Sequence, residues 1–311
     1  MAVPRGNCLK LLTFTIASLT LLLILHQLSY TNTNDFTLPN QPIPTLDKCS
    51  PSTLPTIPNT IHQIWKTANV STYPAKPSHD SWKATFEPRN YTVKLWTDDD
   101  ILRLIRTNYT WLLPTYEGYD HNIQRADMAR LVVVHAEGGV YADLDVHPRS
   151  VEATRCVQRL GLQAAFAPTG GDAGLSNHFF MAEHESDFLL WVLQEAKRRG
   201  GSTSKRILLP YLRVFWSTGP LMLTAAYRQY VWMYGKEDTQ VALLSETYAR
   251  KMVGHAAGRS WHGSDGQVLN YLSDHVHLDS LWIILACLGA VVGVVCIFRR
   301  YRGTRKWHSH V

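Results

Sequence analysis

Between residues 122 and 146 the chain reads NIQRADMARLVVVHAEGGVYADLDV. Asp143 and Asp145 stand two residues apart, and the stretch before them carries Arg125, Asp127 and Arg130. In a strand, residues i and i+2 face the same side, so this spacing predicts both carboxylates on one face of a strand running from Val140 to Val146. Two acids at a strand end beside a helix bearing arginine suit a divalent metal and a diphosphate. Mn²⁺ or Mg²⁺ prefers oxygen ligands and takes one or two carboxylates plus phosphate oxygens. The chemistry this supports is departure of a nucleoside diphosphate, whose growing negative charge a metal and an arginine offset. The chain holds the same spacing once more, in Asp98-Asp99-Asp100. There the acids open a helix, and the plain reading is N-capping with first-turn acids that favour the helix dipole.

The elements that must position these groups follow from local pattern. Ile61, Ile64 and Trp65 suit a buried first strand, and Tyr91 to Trp96 alternates as a second. Residues 81–88 read as a short helix. A helix follows Asp98-Asp-Asp100, with Ile101, Leu102, Leu104 and Ile105 as its apolar face. Ile123 to Glu137 is a longer helix closed by Gly138-Gly139. Strands are expected over 164–167, 178–182 and 241–244, and helices over 187–199 and from Pro220 to about Met233. Alternating strands and helices argue an α/β fold with a mostly parallel central sheet and helices on both faces. The acid pair then falls at a strand end, where α/β sheets bind ligands.

Charge and hydropathy divide the chain. The net charge is +6, with 31 basic and 25 acidic residues. Arg5 and Lys10 precede residue 29, five basic residues follow residue 279, and neither tail holds an acid. The 251 residues between hold 24 basic and 25 acidic groups, a net of −1. A nucleic-acid-binding domain, which carries its basic patch on the fold itself, is therefore excluded. Leu11–Leu28 and Leu281–Phe298 are uncharged apolar runs of 18 residues. As helices each reaches about 27 Å, enough to cross a thin bilayer. The first is long for a signal peptide and no small-x-small pair follows closely, which favours a retained anchor. The basic flanks place both termini in the cytoplasm and the body across the membrane. The expected organisation is a cytoplasmic segment 1–10, a span 11–28, a stem 29–56 rich in Ser, Thr, Asn and Pro, a body 57–279, a second span 281–298, and a basic cytoplasmic tail 299–311. Asn69, Asn90 and Asn108 each open an Asn-x-Ser/Thr sequon, an N-glycan acceptor in a lumenal body. Cys49 and Cys156 are the two cysteines of the body; one bridge and two free thiols are both compatible with the sequence.

With these residues in view, the chain resembles the DxD glycosyltransferases of glycosyltransferase family 32. The resemblance rests on Ala126-Asp127-Met-Ala-Arg130, Gly138-Gly139-Val-Tyr141 and Asp143-Leu-Asp145. Ile57-Pro58 through Trp65, Tyr91 to Asp98, Thr218-Gly219-Pro220 and Ser260-Trp261-His262 support it. It covers roughly residues 55–272. Anchors at both ends and the loop from Gly258 to Asp265 look most like the family's inositolphosphoceramide mannosyltransferases. The resemblance implies a GT-A nucleotide-diphospho-sugar transferase fold, a Mn²⁺ (or Mg²⁺) cofactor and a retaining transfer of mannose from GDP-mannose to a glycolipid. It implies a Golgi or ER membrane location with a lumenal catalytic domain. It also implies roles. Asp145 would bind the metal directly and Asp143 the donor ribose and sugar, with the metal through water. Asp127, Arg130 and Tyr141 would hold the donor, and Trp65 would stack on the nucleobase with Asp98 nearby. His255 and His262 are candidates for a further metal ligand. His178, Trp261 and Asp265 are candidates to face the acceptor. Two other functions fit the same chain: a mannosyltransferase acting on protein-linked glycans, and a catalytically silent membrane subunit. A regulatory subunit is left open by the sequence.

Overall fold

The alternation read in Tyr91–Trp96 gives a half-buried strand with Thr92 and Lys94 exposed, whereas the apolar residues around Ile61 form a strand buried along its middle. The computed structural model describes residues 5–30, 45–49, 56–74, 76–169, 174–235, 240–256 and 266. In chain order the strands are β1 (Thr45–Leu46), β2 (Thr60–Ile64), β3 (Thr92–Trp96), β4 (Gly139–Ala142), β5 (Val146–Pro148), β6 (Ala164–Pro168), β7 (Leu175–Ala182), β8 (Val241–Leu244) and β9 (Val253–His255). The helices are α1 (Arg5–Ser29), α2 (His79–Phe86), α3 (Asp98–Asn108), α4 (Leu113–Glu117), α5 (Asn122–Glu137), α6 (Val151–Gln158), α7 (Asp187–Arg199), α8 (Pro210–Ser217), α9 (Pro220–Tyr234) and α10 (Glu246–Met252).

Among the described residues the main sheet has seven strands in the order β1-β8-β6-β7-β4-β2-β3. Only β7 runs against its neighbours, so the sheet is mostly parallel, as expected. Alternate residues of β7 divide between two cores. Phe180 and Ala182 join Met128, Leu131 and Val132 of α5 and Phe188 of α7. Phe179 and Met181 join Trp82 of α2, Val157 of α6 and Met252 of α10. Helices therefore cover both faces, and each face buries its own apolar set. This burial, at about 25 cal/mol per Å² of apolar surface, is the main force holding the sheet.

The turn between α5 and β4 is dictated by Gly138 and Gly139, at φ +64° and +107°. A Cβ on Gly138 would meet the His184 amide and Pro58, and one on Gly139 would meet the Thr60 carbonyl. Only glycine meets both demands. His62 of β2 braces the same turn. Its Nδ1 accepts the indole N–H of Trp96 at 3.1 Å, so its Nε2 carries the proton donated to the Gly138 carbonyl at 2.8 Å. Burial pushes this imidazole down to about 4, and it stays neutral.

The expected strand from Val140 to Val146 is replaced by two strands and a turn. β4 ends at Ala142, and β5 begins at Val146. The Asp143 amide still donates to the His178 carbonyl of β7 at 2.9 Å. The chain then reverses through a Val146 N–H to Asp143 carbonyl bond of 2.9 Å, and β5 pairs with β9 instead. The physical reason is burial: a strand continuing between covered faces would bury both carboxylates among apolar side chains, whereas a turn delivers them to the sheet's end. Cys49 and Cys156 are joined, Cα atoms 6.0 Å apart, which settles the alternative the sequence left open and ties the β1 segment to α6.

The helix α1 belongs to a unit separate from that of residues 30–263. Several of its large apolar side chains, Phe14, Ile16, Leu19, Leu22, Leu23 and Ile24, are exposed. Among the described residues no helix is long and apolar enough to cross a membrane. The second apolar run, the loop from Gly258 to Asp265 and most of the stem lie outside the described residues.

Candidate active site

Helix α5 places Asp127 and Arg130 three residues apart on one face. Both are nearly fully buried. The Asp127 carboxylate accepts the Thr218 hydroxyl at 2.8 Å and the Asn177 amide at 3.0 Å. Burial pushes its pKa up to about 6, against the pull of Arg130 and these two donors. The Arg130 guanidinium lies 3.5 Å from Asp127 and 3.4 Å from Asp143, donates to the Asn177 carbonyl at 3.2 Å, and sits 5.2 Å from the centre of the Tyr141 ring. Burial opposes its charge, but the carboxylates, Asp143 foremost, outweigh that and hold it protonated.

At the end of β4 the Tyr141 hydroxyl donates to Asp143 Oδ1 at 2.8 Å. Burial raises the Asp143 carboxyl, Arg130 lowers it, and repulsion from Asp145 adds to the rise. A quarter of the Asp143 side chain remains exposed, so this group opens toward a ligand. Across the turn, Asp145 Oδ2 faces His255 Nε2 at 3.5 Å. The β5–β9 pairing holds that approach, with Val146 opposite His255 and the Ala256 amide donating to the Asp145 carbonyl at 3.0 Å. The His255 ring stacks on His178, centroids 4.2 Å apart. His178, bonded through Nδ1 to the Ser176 hydroxyl at 2.5 Å, is pushed down to about 3 by burial and by His255.

Most of the predicted site residues therefore converge: Asp127, Arg130, Tyr141, Asp143, Asp145, His178 and His255 form one contiguous group. Trp65 follows the end of β2, with its backbone N–H on the Trp96 carbonyl at 2.9 Å. It is half-buried and packs on its own loop: its indole N–H donates to Thr72 at 2.7 Å and Tyr73 meets it edge-on at 5.1 Å. Asp98 is exposed in the first turn of α3. No described contact joins it to the group around Arg130. Arg125 turns away, donating to the Tyr119 carbonyl at 2.7 Å. Trp261, His262 and Asp265 lie outside the described residues.

Three participants were not assigned roles from the sequence. Thr218 and Asn177 hold Asp127, and only the Thr218-Gly-Pro220 helix start hinted at the first. Tyr73 stands close enough for Asp145 and Asp143 to add to the effect of burial in pushing its hydroxyl up to about 12. It lies in a loop without periodicity, where no sequence pattern points to it.

The donor set fits a divalent cation of the Mn²⁺ or Mg²⁺ type. Asp145 and Asp143 offer carboxylate oxygens and His255 a facing imidazole nitrogen, a hard to borderline set. Among the described residues no three such groups already stand as a metal cage.

The site thus sets a buried arginine between two carboxylates, beside an acid–imidazole pair at a strand end. The chain is a glycosyltransferase: residues 78–159 match the model described as "Glycosyltransferase sugar-binding region containing DXD motif". The matched span contains both Asp-x-Asp pairs of the chain, Asp98-Asp99-Asp100 and Asp143-Leu-Asp145. It is 29% identical over 271 residues to inositol phosphoceramide mannosyltransferase 1 of Schizosaccharomyces pombe, covering 85% of this chain and 82% of that one. It is 30% identical over 230 residues to mannosyl phosphorylinositol ceramide synthase SUR1 of Saccharomyces cerevisiae, covering 71% of this chain and 56% of that one. Among solved structures, the PaToxG glycosyltransferase aligns over 73% of this chain and 83% of its own, at 18% identity and a TM-score of 0.41.

Proposed function

We propose that the chain transfers mannose, with retention of configuration, from GDP-mannose to the headgroup of an inositolphosphoceramide, as a GT-A enzyme using Mn²⁺ or Mg²⁺. The observation that carries this reading is the Asp127–Arg130–Asp143 set buried against the Asp145–His255 pair. The names of the relatives point the acceptor toward a sphingolipid. The body, residues 57–279, would lie in the Golgi or ER lumen between spans at 11–28 and 281–298. The exposed apolar side chains of α1 and the Cys49–Cys156 bridge, at home in an oxidising compartment, support that placement.

In this reading Trp65 receives the nucleobase, with Asp98 at the adjoining helix start. Asp127, fixed by Thr218 and Asn177, orients the donor sugar. Arg130 is held charged and aimed between Asp127 and Asp143, so it meets the diphosphate with little reorganisation. Tyr141 keeps Asp143 oriented toward the donor ribose and sugar. Asp145 and His255 would hold the cation, with Asp143 assisting, and His262 is a further candidate. The bound cation would supply positive charge to the departing diphosphate. His178, neutral and stacked on His255, faces the acceptor side with Trp261 and Asp265 as further candidates. The leaving phosphate itself can take the acceptor proton, so no separate base is assigned.

The test uses microsomes containing the wild type or Asp145→Asn, supplied with radiolabelled GDP-mannose, with lipid and protein products separated. Label in the lipid fraction that is lost in the variant supports the reading. Label only in protein would redirect it to protein-linked glycans, and no label in either fraction would favour a silent subunit.

A further inference from the structure

A shallow groove of about 460 Å³ lies between β3, α3 and the end of α5, lined by Lys94, Trp96, Asp100, Arg103, Asn108 and Glu137, with Leu95 and Leu104 beside them. It is separate from the group around Arg130. Among the described residues β3 is the outermost strand, so its outer backbone groups are a template for pairing with another chain. The groove wall alternates an apolar surface with fixed polar pairs: Lys94 Nζ bonds Glu137 Oε2 at 2.6 Å, and Arg103 lies 3.6 Å from Asp100. An aromatic ring beside charged hydrogen-bonding groups is the surface a sugar recognises, its C–H face on the ring and its hydroxyls on the ions.

One wall residue supplies its own ligand. Asn108 opens the sequon Asn108-Tyr109-Thr110, is exposed, and is the last residue of α3. Asn69 and Asn90 open sequons too, on turns, but neither lines this groove. From Asn108 the groove follows α3, whose 11 residues span about 16 Å, back toward Trp96. We propose that Asn108 is N-glycosylated and that the first sugars of its glycan lie in this groove, covering the β3 edge. The glycan acts as an intramolecular edge cover, in the role that charged residues or an added helix play in other sheets. This inference rests on the lumenal placement of the body proposed above, and not on the identity of donor or acceptor.

The test expresses the full chain in a eukaryotic secretory host and maps occupied sequons by enzymatic deglycosylation in ¹⁸O water with mass spectrometry. Hydrogen exchange is then compared between the wild type and two variants without this sequon, Thr110→Ala, which leaves Asn108 in place, and Asn108→Gln. The expected result is an occupied Asn108, and a roughly tenfold faster exchange in the peptide spanning 92–96 in both variants, with the peptides of β4 and α5 unchanged. Glycan on Asn69 or Asn90 with none on Asn108 overturns the inference alone. An occupied Asn108 whose loss leaves the 92–96 peptide unchanged overturns the seat in the groove. No glycan on any sequon overturns the lumenal placement and this inference with it, while mannose transfer in microsomes would stand untouched.

Discussion

Asp143-Leu-Asp145 and Asp98-Asp99-Asp100 offer the same two carboxylates at the same spacing, and the fold treats them oppositely. Asp100 lies in the first turn of α3, a third of its side chain exposed, and its oxygens return to the Thr97 amide at 3.1 Å and the Thr97 hydroxyl at 2.7 Å. That capping box satisfies the acid within four residues of chain, and the Thr97 bonds hold the Asp100 carboxyl below its usual range. Asp143 and Asp145 draw their partners from α5, β4 and β9 instead. They remain close enough to repel each other, and burial and that repulsion push Asp143 upward. A site for a cation or a diphosphate is one where carboxylates are held together at a cost. Spacing along the chain does not distinguish the two cases; long-range partners do.

The largest expected difference between the regions is in chemistry. If Arg130 meets the leaving diphosphate as proposed, replacing it with Met should lower kcat by about 10³-fold, because a buried preorganised charge is lost. Transfer within tenfold of wild type would show that the buried arginine is structural. The next is a difference in the sign of pH dependence. Asp127 has a folded pKa of about 6, above its ordinary value of 3.8, so the folded state binds more protons between those values. Its contribution to stability is therefore greatest below pH 3.8 and is lost as pH rises through 6, by roughly 3 kcal/mol. Urea unfolding of wild type and Asp127→Asn between pH 4 and 7 should show the wild type falling relative to the variant by about that amount. Asp100 works the other way: its depressed pKa adds stability as pH rises through the acid range. Thr97→Ala, which breaks only the capping box, should cost about 1 kcal/mol in unfolding and leave transfer within twofold. The smallest effect belongs to Tyr73, which borders the acid pair from the loop. Tyr73→Phe removes a hydroxyl but no charge, so donor KM should shift by a few-fold at most with kcat little changed.

Much of the frame is legible in local pattern. Alternation marks β2 and β3, the apolar face and acidic start mark α3, and Gly138-Gly139 marks the end of α5, because each is fixed by neighbours in the chain. The acid pair is legible as a site but its geometry is not. Val140–Val146 alternates without a break, and only the pairing of β5 with β9, more than 100 residues later, shows why the chain turns at Asp143. The partners of Asp127 are hidden for the same reason: Asn177 and Thr218 come from β7 and the start of α9, and their residue types alone carry no signal. His255 was one of two histidine candidates, and its register opposite Val146 places it beside Asp145; His262 lies outside the described residues. Trp65 reads from sequence both as a core residue of the first strand and as a stacking platform, and it is half-buried on its own loop because β2 ends just before it.

The most direct measurement sets the two acid pairs against each other in one assay. Asp145→Asn and Asp100→Asn would be assayed for transfer from GDP-mannose in the same membranes, with folding checked by thermal unfolding. Loss of at least about 10³-fold in Asp145→Asn, with Asp100→Asn near wild type and both folded, is the predicted result. Transfer retained by folded Asp145→Asn, or lost equally in folded Asp100→Asn, would contradict the claim that long-range burial, rather than the Asp-x-Asp spacing, makes the site.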